Sequence, residues 1–100
     1  MELATPDSFE GVQLTLGAAP NPVSLMFTPE AVKRGSVVVD NSSAYRLESD
    51  VPLVVPEVNP EDVRWHKGIV ANPNCSTIIA MVPLKPLHDY AKTVLACGCQ

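Results

Sequence analysis

The sequence predicts an α/β fold, a mostly parallel sheet with short helices, and three observations lead there. The run Ser36-Val37-Val38-Val39 is continuously apolar and β-branched, the pattern of a strand covered on both faces. A second β-rich run precedes it, with helix start and stop signals in between, which makes a strand-helix-strand unit. Ten prolines in 100 residues stand well above the usual share of about 5%, so the elements are cut short.

Val12-Gln13-Leu14-Thr15-Leu16 is the first strand candidate, closed by the breaker-rich stretch Gly17-Ala18-Ala19-Pro20-Asn21-Pro22, which reads as a loop. Thr28-Pro29-Glu30 then supplies an N-cap, a proline at the first helical position and an acid in the first turn. Lys33-Arg34-Gly35 closes that short helix with basic residues and a C′ glycine. After the Ser36–Val39 strand, Asp40-Asn41-Ser42-Ser43-Ala44 forms a polar turn where open α/β sheets present their ligand loops. Leu53-Val54-Val55 is a further short strand candidate ended by Pro56, and Asn59-Pro60-Glu61-Asp62 a capped helical turn. Gly68-Ile69-Val70-Ala71 is the last clear strand before the turn Asn72-Pro73-Asn74. Ile78, Ile79, Val82 and Leu87 line one face of a helix that Pro83 and Pro86 shorten or kink, with a break expected near Met81. Thr93-Val94-Leu95-Ala96 begins a possible further strand.

Composition narrows the function. The net charge is −4 and the seven Lys and Arg residues are scattered, so no basic stripe meets nucleic acid. No apolar run approaches the ~20 residues of a membrane-spanning helix. The N-terminus has neither a signal-peptide nor a transit-peptide pattern, so a soluble, cytoplasmic protein is expected. The three cysteines are an odd set. Cys75 stands alone, and Cys97-Gly98-Cys99 lacks both the two-residue spacing and the second ligand pair of a zinc site, so neither a disulfide framework nor a metal is expected.

Cys75 follows a strand and a tight turn and begins a helical run, so its sulfur should project at the carboxyl edge of the sheet. A helix N-terminus favours thiolate and offers unpaired N–H groups to an oxyanion. A small buried hydrophobe is the competing reading for such a residue.

Three ordered segments, Val37 to Arg46, Val51 to Asn59 and Gly68 to Thr77, resemble the aspartate-semialdehyde dehydrogenase family. The similarity runs from about Ser8 to Lys92. The acyl-phosphate reductase of arginine biosynthesis and the glyceraldehyde-phosphate dehydrogenase type fit less well, because they differ at the positions of Asn74 and Ser76. The resemblance implies NADPH-dependent reductive dephosphorylation of aspartyl β-phosphate to aspartate β-semialdehyde, on the route to lysine, threonine and methionine, with NADP as cofactor. It implies Cys75 as the nucleophile that forms a thioester, and Arg46 and Asn74 as ligands of the substrate phosphate. Asn41, Ser42 and Ser43 would lie near the nicotinamide. Glu57 matches a family signature and is expected to be structural, while His66 and His88 stand outside the family's base motif and are expected at the surface. The full-length family is a homodimer.

The same resemblance marks this chain as an internal piece. Residues 1–92 are expected to form part of a Rossmann-like NAD(P)-binding domain, lacking the first strand, the glycine-rich phosphate loop and the dimerisation and catalytic domain. Residues 93–100 are expected to be a divergent or truncated tail. Little or no activity is expected of the chain alone. Two other readings stand beside this one: a non-catalytic, anion-binding remnant of the same ancestry, and a redox thiol protein using Cys97 and Cys99.

Overall fold

A computed structural model describes residues 2–91. Three parallel strands, β1 (Leu14–Gly17), β2 (Val37–Asp40) and β3 (Ile69–Ala71), lie side by side in chain order. Leu14 pairs with Val37 and Val38 with Ile69, so β2 is the central strand. Its alternation is clean: Val38 and Asp40 are buried, Val37 and Val39 half-buried. A short 3-10 turn over Pro6–Phe9 precedes the sheet, and a second over Pro60–Trp65 leads into β3. The predicted α/β class and its parallel sheet are therefore present.

Helix α1 (Asn21–Lys33) crosses from β1 to β2 and starts seven residues before the predicted cap at Thr28. Pro22 in the first turn provides the same start signal that Pro29 was read to give, so the stretch expected as a loop through Pro22 is already helical at Asn21. Pro29 instead lies inside the helix, and Thr28 is buried with Ser24 and Ala31 on one face at helical spacing. These small side chains bring the helix close to the sheet. The predicted stop at Gly35 is present as a Schellman motif: Gly35 takes φ +85°, its N–H reaches the carbonyl of Val32 at 3.0 Å, and the Ser36 N–H reaches that of Ala31 at 3.0 Å. Arg34 at the helix end bonds Glu30 at 2.8 Å and Asp7 at 3.2 Å, tying the first 3-10 turn to α1. Phe9 and Phe27 add a tilted aromatic contact with centroids 6.1 Å apart.

Leu53-Val54-Val55 is not a strand but a single parallel bridge from Leu53 to Ala71. The Ala71 N–H reaches the Pro52 carbonyl at 2.9 Å and the Val54 N–H the Ala71 carbonyl at 3.1 Å, but the next rung would need the N–H of Pro73 or Pro56, which proline lacks. On the outer edge the Asn59 side chain takes the Val55 N–H and donates to the Leu53 carbonyl, both at 2.9 Å. Val54 and Val55 still bury their side chains.

Helix α2 (Cys75–Ala91) runs unbroken through Met81, with Pro83 and Pro86 inside it, so the predicted break is absent. Each proline removes its own donor and crowds the carbonyl four residues earlier, a local cost that the helix absorbs without ending. Ile79, whose carbonyl Pro83 leaves unpaired, is 73% exposed, and water can take that carbonyl. No residue of α2 is buried. The strand candidate at Thr93 and both Cys97 and Cys99 lie outside the described residues.

Candidate functional site

The site forms where β2 and β3 end. A strand that stops must hand its backbone groups to other partners, and here side chains supply them. Asp40 is fully buried at the end of β2. Its carboxylate accepts from the Ser42 hydroxyl at 2.7 Å, the Ser42 N–H at 3.1 Å and the Ser24 hydroxyl at 3.3 Å. Ser42 Oγ in turn accepts from the Ala44 N–H at 3.2 Å. This relay folds residues 40–44 into a fixed turn. Gly17 on β1 makes room for it, since a Cβ there would lie 3.0 Å from Asp40 Oδ1. On the outer side, Asn21 clamps the same turn in both directions, donating to Ser43 Oγ at 2.7 Å and accepting from the Ser43 N–H at 3.1 Å.

Arg46 stands at the far end of this turn. Its Nε–H donates to the carbonyl of Asn72 at 2.8 Å and one terminal nitrogen, Nη2, donates to the carbonyl of Asn41 at 2.9 Å. It makes no ion pair with Glu48 or Asp50, the solvated partners that sequence proximity offers. One edge of the guanidinium is thus spent on two backbone carbonyls. The edge between the two terminal nitrogens keeps its donors, in the geometry that meets two oxygens of a phosphate or carboxylate. Arg46 lines a cleft of about 540 Å³ with Ser43, Leu47, Leu53, Asn74 and Thr77.

Asn74 is the N-cap of α2. Its Oδ1 accepts from the Ser76 N–H at 2.9 Å and its carbonyl accepts from the Ile78 N–H at 3.0 Å. The Asn74 amide nitrogen has no partner among the described residues. Cys75, the next residue, is a free and exposed thiol in the first turn of α2, which excludes the buried-hydrophobe alternative. Asn74 before it and Thr77 two residues after it line the Arg46 cleft, while Cys75 itself does not.

The expected cofactor-side residues divide. Asn41 is exposed and its Oδ1 accepts from Asn72 Nδ2 at 2.7 Å, leaving its own amide protons. Ser43 is exposed, and because its oxygen accepts from Asn21 its hydroxyl proton is still available. Ser42 is buried, its hydroxyl committed to Asp40 and Ala44. Asn41 and Ser43 therefore fit a ligand with acceptor oxygens, such as a nicotinamide carboxamide, while Ser42 serves as an internal strut. Tyr45, beside Arg46, has its hydroxyl pKa raised above the ordinary value, chiefly by burial and then by the negative charges of Asp40 and Glu48.

His66 accepts from the Gly68 N–H at 3.0 Å, and neither His66 nor His88 lines the cleft. Glu57 is exposed and makes no hydrogen bond among the described residues, so the structural role expected for it has no contact behind it. No group of three metal-ligating side chains occurs among the described residues. No helix there is long and apolar enough to cross a membrane. Three residues of the site carry no role in the sequence-based reading: Asp40, Asn21 and Asn72. Their type and position mark them only as turn formers; the partners of Asn21 and Asn72 lie across the fold, and Asp40 bonds both its neighbour Ser42 and the distant Ser24.

Known proteins resemble the chain closely. Residues 1–66 match the model of the semialdehyde dehydrogenase NAD-binding domain. Aspartate-semialdehyde dehydrogenase of Bacillus subtilis is 55% identical over 85 residues, which is 85% of this chain and 25% of that protein. The Aquifex aeolicus enzyme is 55% identical over 87 residues, 85% of this chain and 26% of its own length. The chain thus spans about a quarter of the length of these relatives. In solved structures, aspartate semialdehyde dehydrogenase II of Vibrio cholerae complexed with ASA superposes with a TM-score of 0.78 at 46% identity, over 81% of this chain and 27% of that one. The Candida albicans enzyme with NADP gives 0.68 at 33% identity, over 81% and 27%. A chain whose first two-thirds match the family's NAD-binding domain belongs to the semialdehyde dehydrogenase family.

Proposed function

We propose that this chain is the nucleophile-bearing part of an aspartate-semialdehyde dehydrogenase. It would act in the NADPH-dependent conversion of aspartyl β-phosphate to aspartate β-semialdehyde, on the cytosolic route to lysine, threonine and methionine. The observation that supports the reading most is the Arg46 fork, pinned to the carbonyls of Asn41 and Asn72 and lining one cleft with Asn74, the cap of the cysteine helix. The relatives that carry this activity are 55% identical across the same stretch. Residues 1–92 are read as part of the NAD(P)-binding domain, with the full-length protein acting as a homodimer.

In this reading the Cys75 thiolate attacks the acyl phosphate carbon, a C–S bond forms, and phosphate leaves with the electron pair of the broken C–O bond. Arg46 holds the departing phosphate through its terminal edge, where charge-assisted bonds are strong, and the Asn74 amide adds a neutral donor. The N–H groups opening α2 face the oxygen that becomes negative during attack. A bound NADPH would supply hydride for the thioester carbon, with the C–S bond breaking and the Cys75 thiolate as leaving group. Asn41 and Ser43 offer the donors that would orient the nicotinamide end, with Ser42 holding their loop from inside. The chain alone is expected to give no turnover, because neither of its histidines lines the cleft.

The test is titration of the 100-residue chain with inorganic phosphate, followed by NMR and by alkylation of Cys75. Shifts centred on Arg46 and Asn74, with slower Cys75 alkylation at saturation, support the assignment. Saturating phosphate that moves neither residue overturns it.

A further inference from the structure

Asn72 is not in the cleft lining, yet its polar groups converge on the loop that carries Arg46. Its N–H donates to the Asp40 carbonyl at 2.9 Å, its Nδ2 donates to Asn41 Oδ1 at 2.7 Å, and its carbonyl accepts from Arg46 Nε at 2.8 Å. Asn41 completes the set, because its own carbonyl accepts from Arg46 Nη2 at 2.9 Å. Arg46, Asn41 and Asn72 therefore form a closed ring of three hydrogen bonds joining the loop after β2 to the loop after β3. No member of such a ring can rotate without breaking a bond at a second member. The guanidinium plane, and with it the direction of the free edge, is set by both loops together. Fixing a long cationic side chain in advance matters because its rotamer entropy otherwise opposes binding.

The geometry points to Asn72 as a positioning residue for the anion site. Through its side-chain amide it fixes Asn41, and through Asn41 and its own carbonyl it holds Arg46 aimed into the cleft. Because Asn41 also faces the position read for the nicotinamide end, the same ring links the phosphate ligand to the cofactor loop. The inference rests on the proposed function only for the identity of the ligand; the ring itself is independent of it.

The experiment uses the 100-residue chain with Asn72→Ala, Asn41→Ala and the double variant. Arg46 Nε–H exchange is read by NMR without ligand, then inorganic phosphate affinity and thermal midpoint are measured. In the parent chain the Arg46 Nε–H should be protected. Each single variant should accelerate its exchange and weaken phosphate by roughly two- to tenfold, the range of one neutral hydrogen bond, and the double variant should be no worse than either single one. The thermal midpoint should stay nearly constant, since both side chains meet at an exposed bond. Additive losses in the double variant, unchanged Nε–H exchange in Asn72→Ala, or an unprotected Nε–H in the parent would each overturn the inference. A parent chain with a protected Nε–H that binds no phosphate would instead refute the proposed function and leave the ring standing.

Discussion

The turn that carries Arg46 and the helix that carries Cys75 meet at one cleft but are built in opposite ways. Residues 40–46 are held from within by the buried Asp40 carboxylate, from one side by Asn21 and from the other by Asn72. Helix α2 has a well-made cap at Asn74 and then seventeen residues with none buried and two prolines inside. Rigidity is thus concentrated on the groups proposed to recognise an anion. The proposed nucleophile sits in the first turn after that cap, on a helix none of whose residues is buried. The difference separates two tasks: a guanidinium must present a set angle to bind bidentately, whereas a thiol needs an open approach and a defined first turn.

The comparison breaks most visibly at Asp40. Asp40→Ala removes a buried acceptor and orphans the Ser42 hydroxyl and N–H, at about 1–3 kcal/mol for each donor left unsatisfied, while the Ser24 hydroxyl keeps the Ala19 carbonyl at 3.4 Å. Urea denaturation should show the loss in full, and Arg46 signals should broaden with it. If Asp40→Ala keeps both the stability and the Arg46 signals, the turn is not held from within.

Arg46→Ala probes the other half. It should abolish measurable phosphate binding, since hydrogen bonds to charged groups are worth about 1.5–3 kcal/mol each, while the far-UV spectrum of α2 stays unchanged. Pro83→Ala separates the regions from the opposite direction. It restores a donor in an exposed helix where proline costs up to about 3 kcal/mol, so helicity should rise while the thermal midpoint of the sheet and the phosphate affinity do not. Asn74→Ala should cost about 1 kcal/mol as a lost cap, seen as fraying at Cys75 in amide exchange.

The smallest effect concerns pH. The Arg34 guanidinium hydrogen-bonded to Glu30, with Lys33 beside it, holds the Glu30 carboxyl below its ordinary value. A group with a depressed folded pKa stabilises above its unfolded pKa and loses that stabilisation as pH falls through the folded one. Stability should therefore decline slightly below about pH 4.5, the ordinary glutamate value. The pair is exposed, so Glu30→Gln should flatten this acid limb only a little. Tyr45 works at the other extreme. Its raised pKa favours the protonated hydroxyl, so stability should fall again only as pH climbs through its folded value, above the ordinary tyrosine value of 10.

Strands and the α1 stop were legible in the sequence because their signals are local: β-branched runs at Val37–Val39 and Ile69–Val70, and a glycine placed after two basic residues. The α1 start was misplaced because two prolines offered the same signal, and the earlier one was available at no cost. At Leu53–Val55 the strand that propensity favoured stops after one bridge, because the next rung falls on Pro56 and Pro73, which have no N–H to give. Cys75 and Arg46 were legible as candidates through motif resemblance. Their supports were not, because Asn21 meets Ser43 across 22 residues, Asn72 meets Arg46 across 26, and Asn72 meets Asn41 across 31. Local pattern carries no trace of such pairings.

Those separations also order events in time. Parallel strands cannot zip from a hairpin; each pairing waits for its crossover to close, and β2 needs both β1 and a β3 that lies about thirty residues later. The Arg46 ring draws on the ends of β2 and β3 together, so during refolding it should be among the last features to appear. Phosphate affinity then doubles as a stopwatch for the chain's final docking step, reporting completion of the whole sheet rather than of any one element.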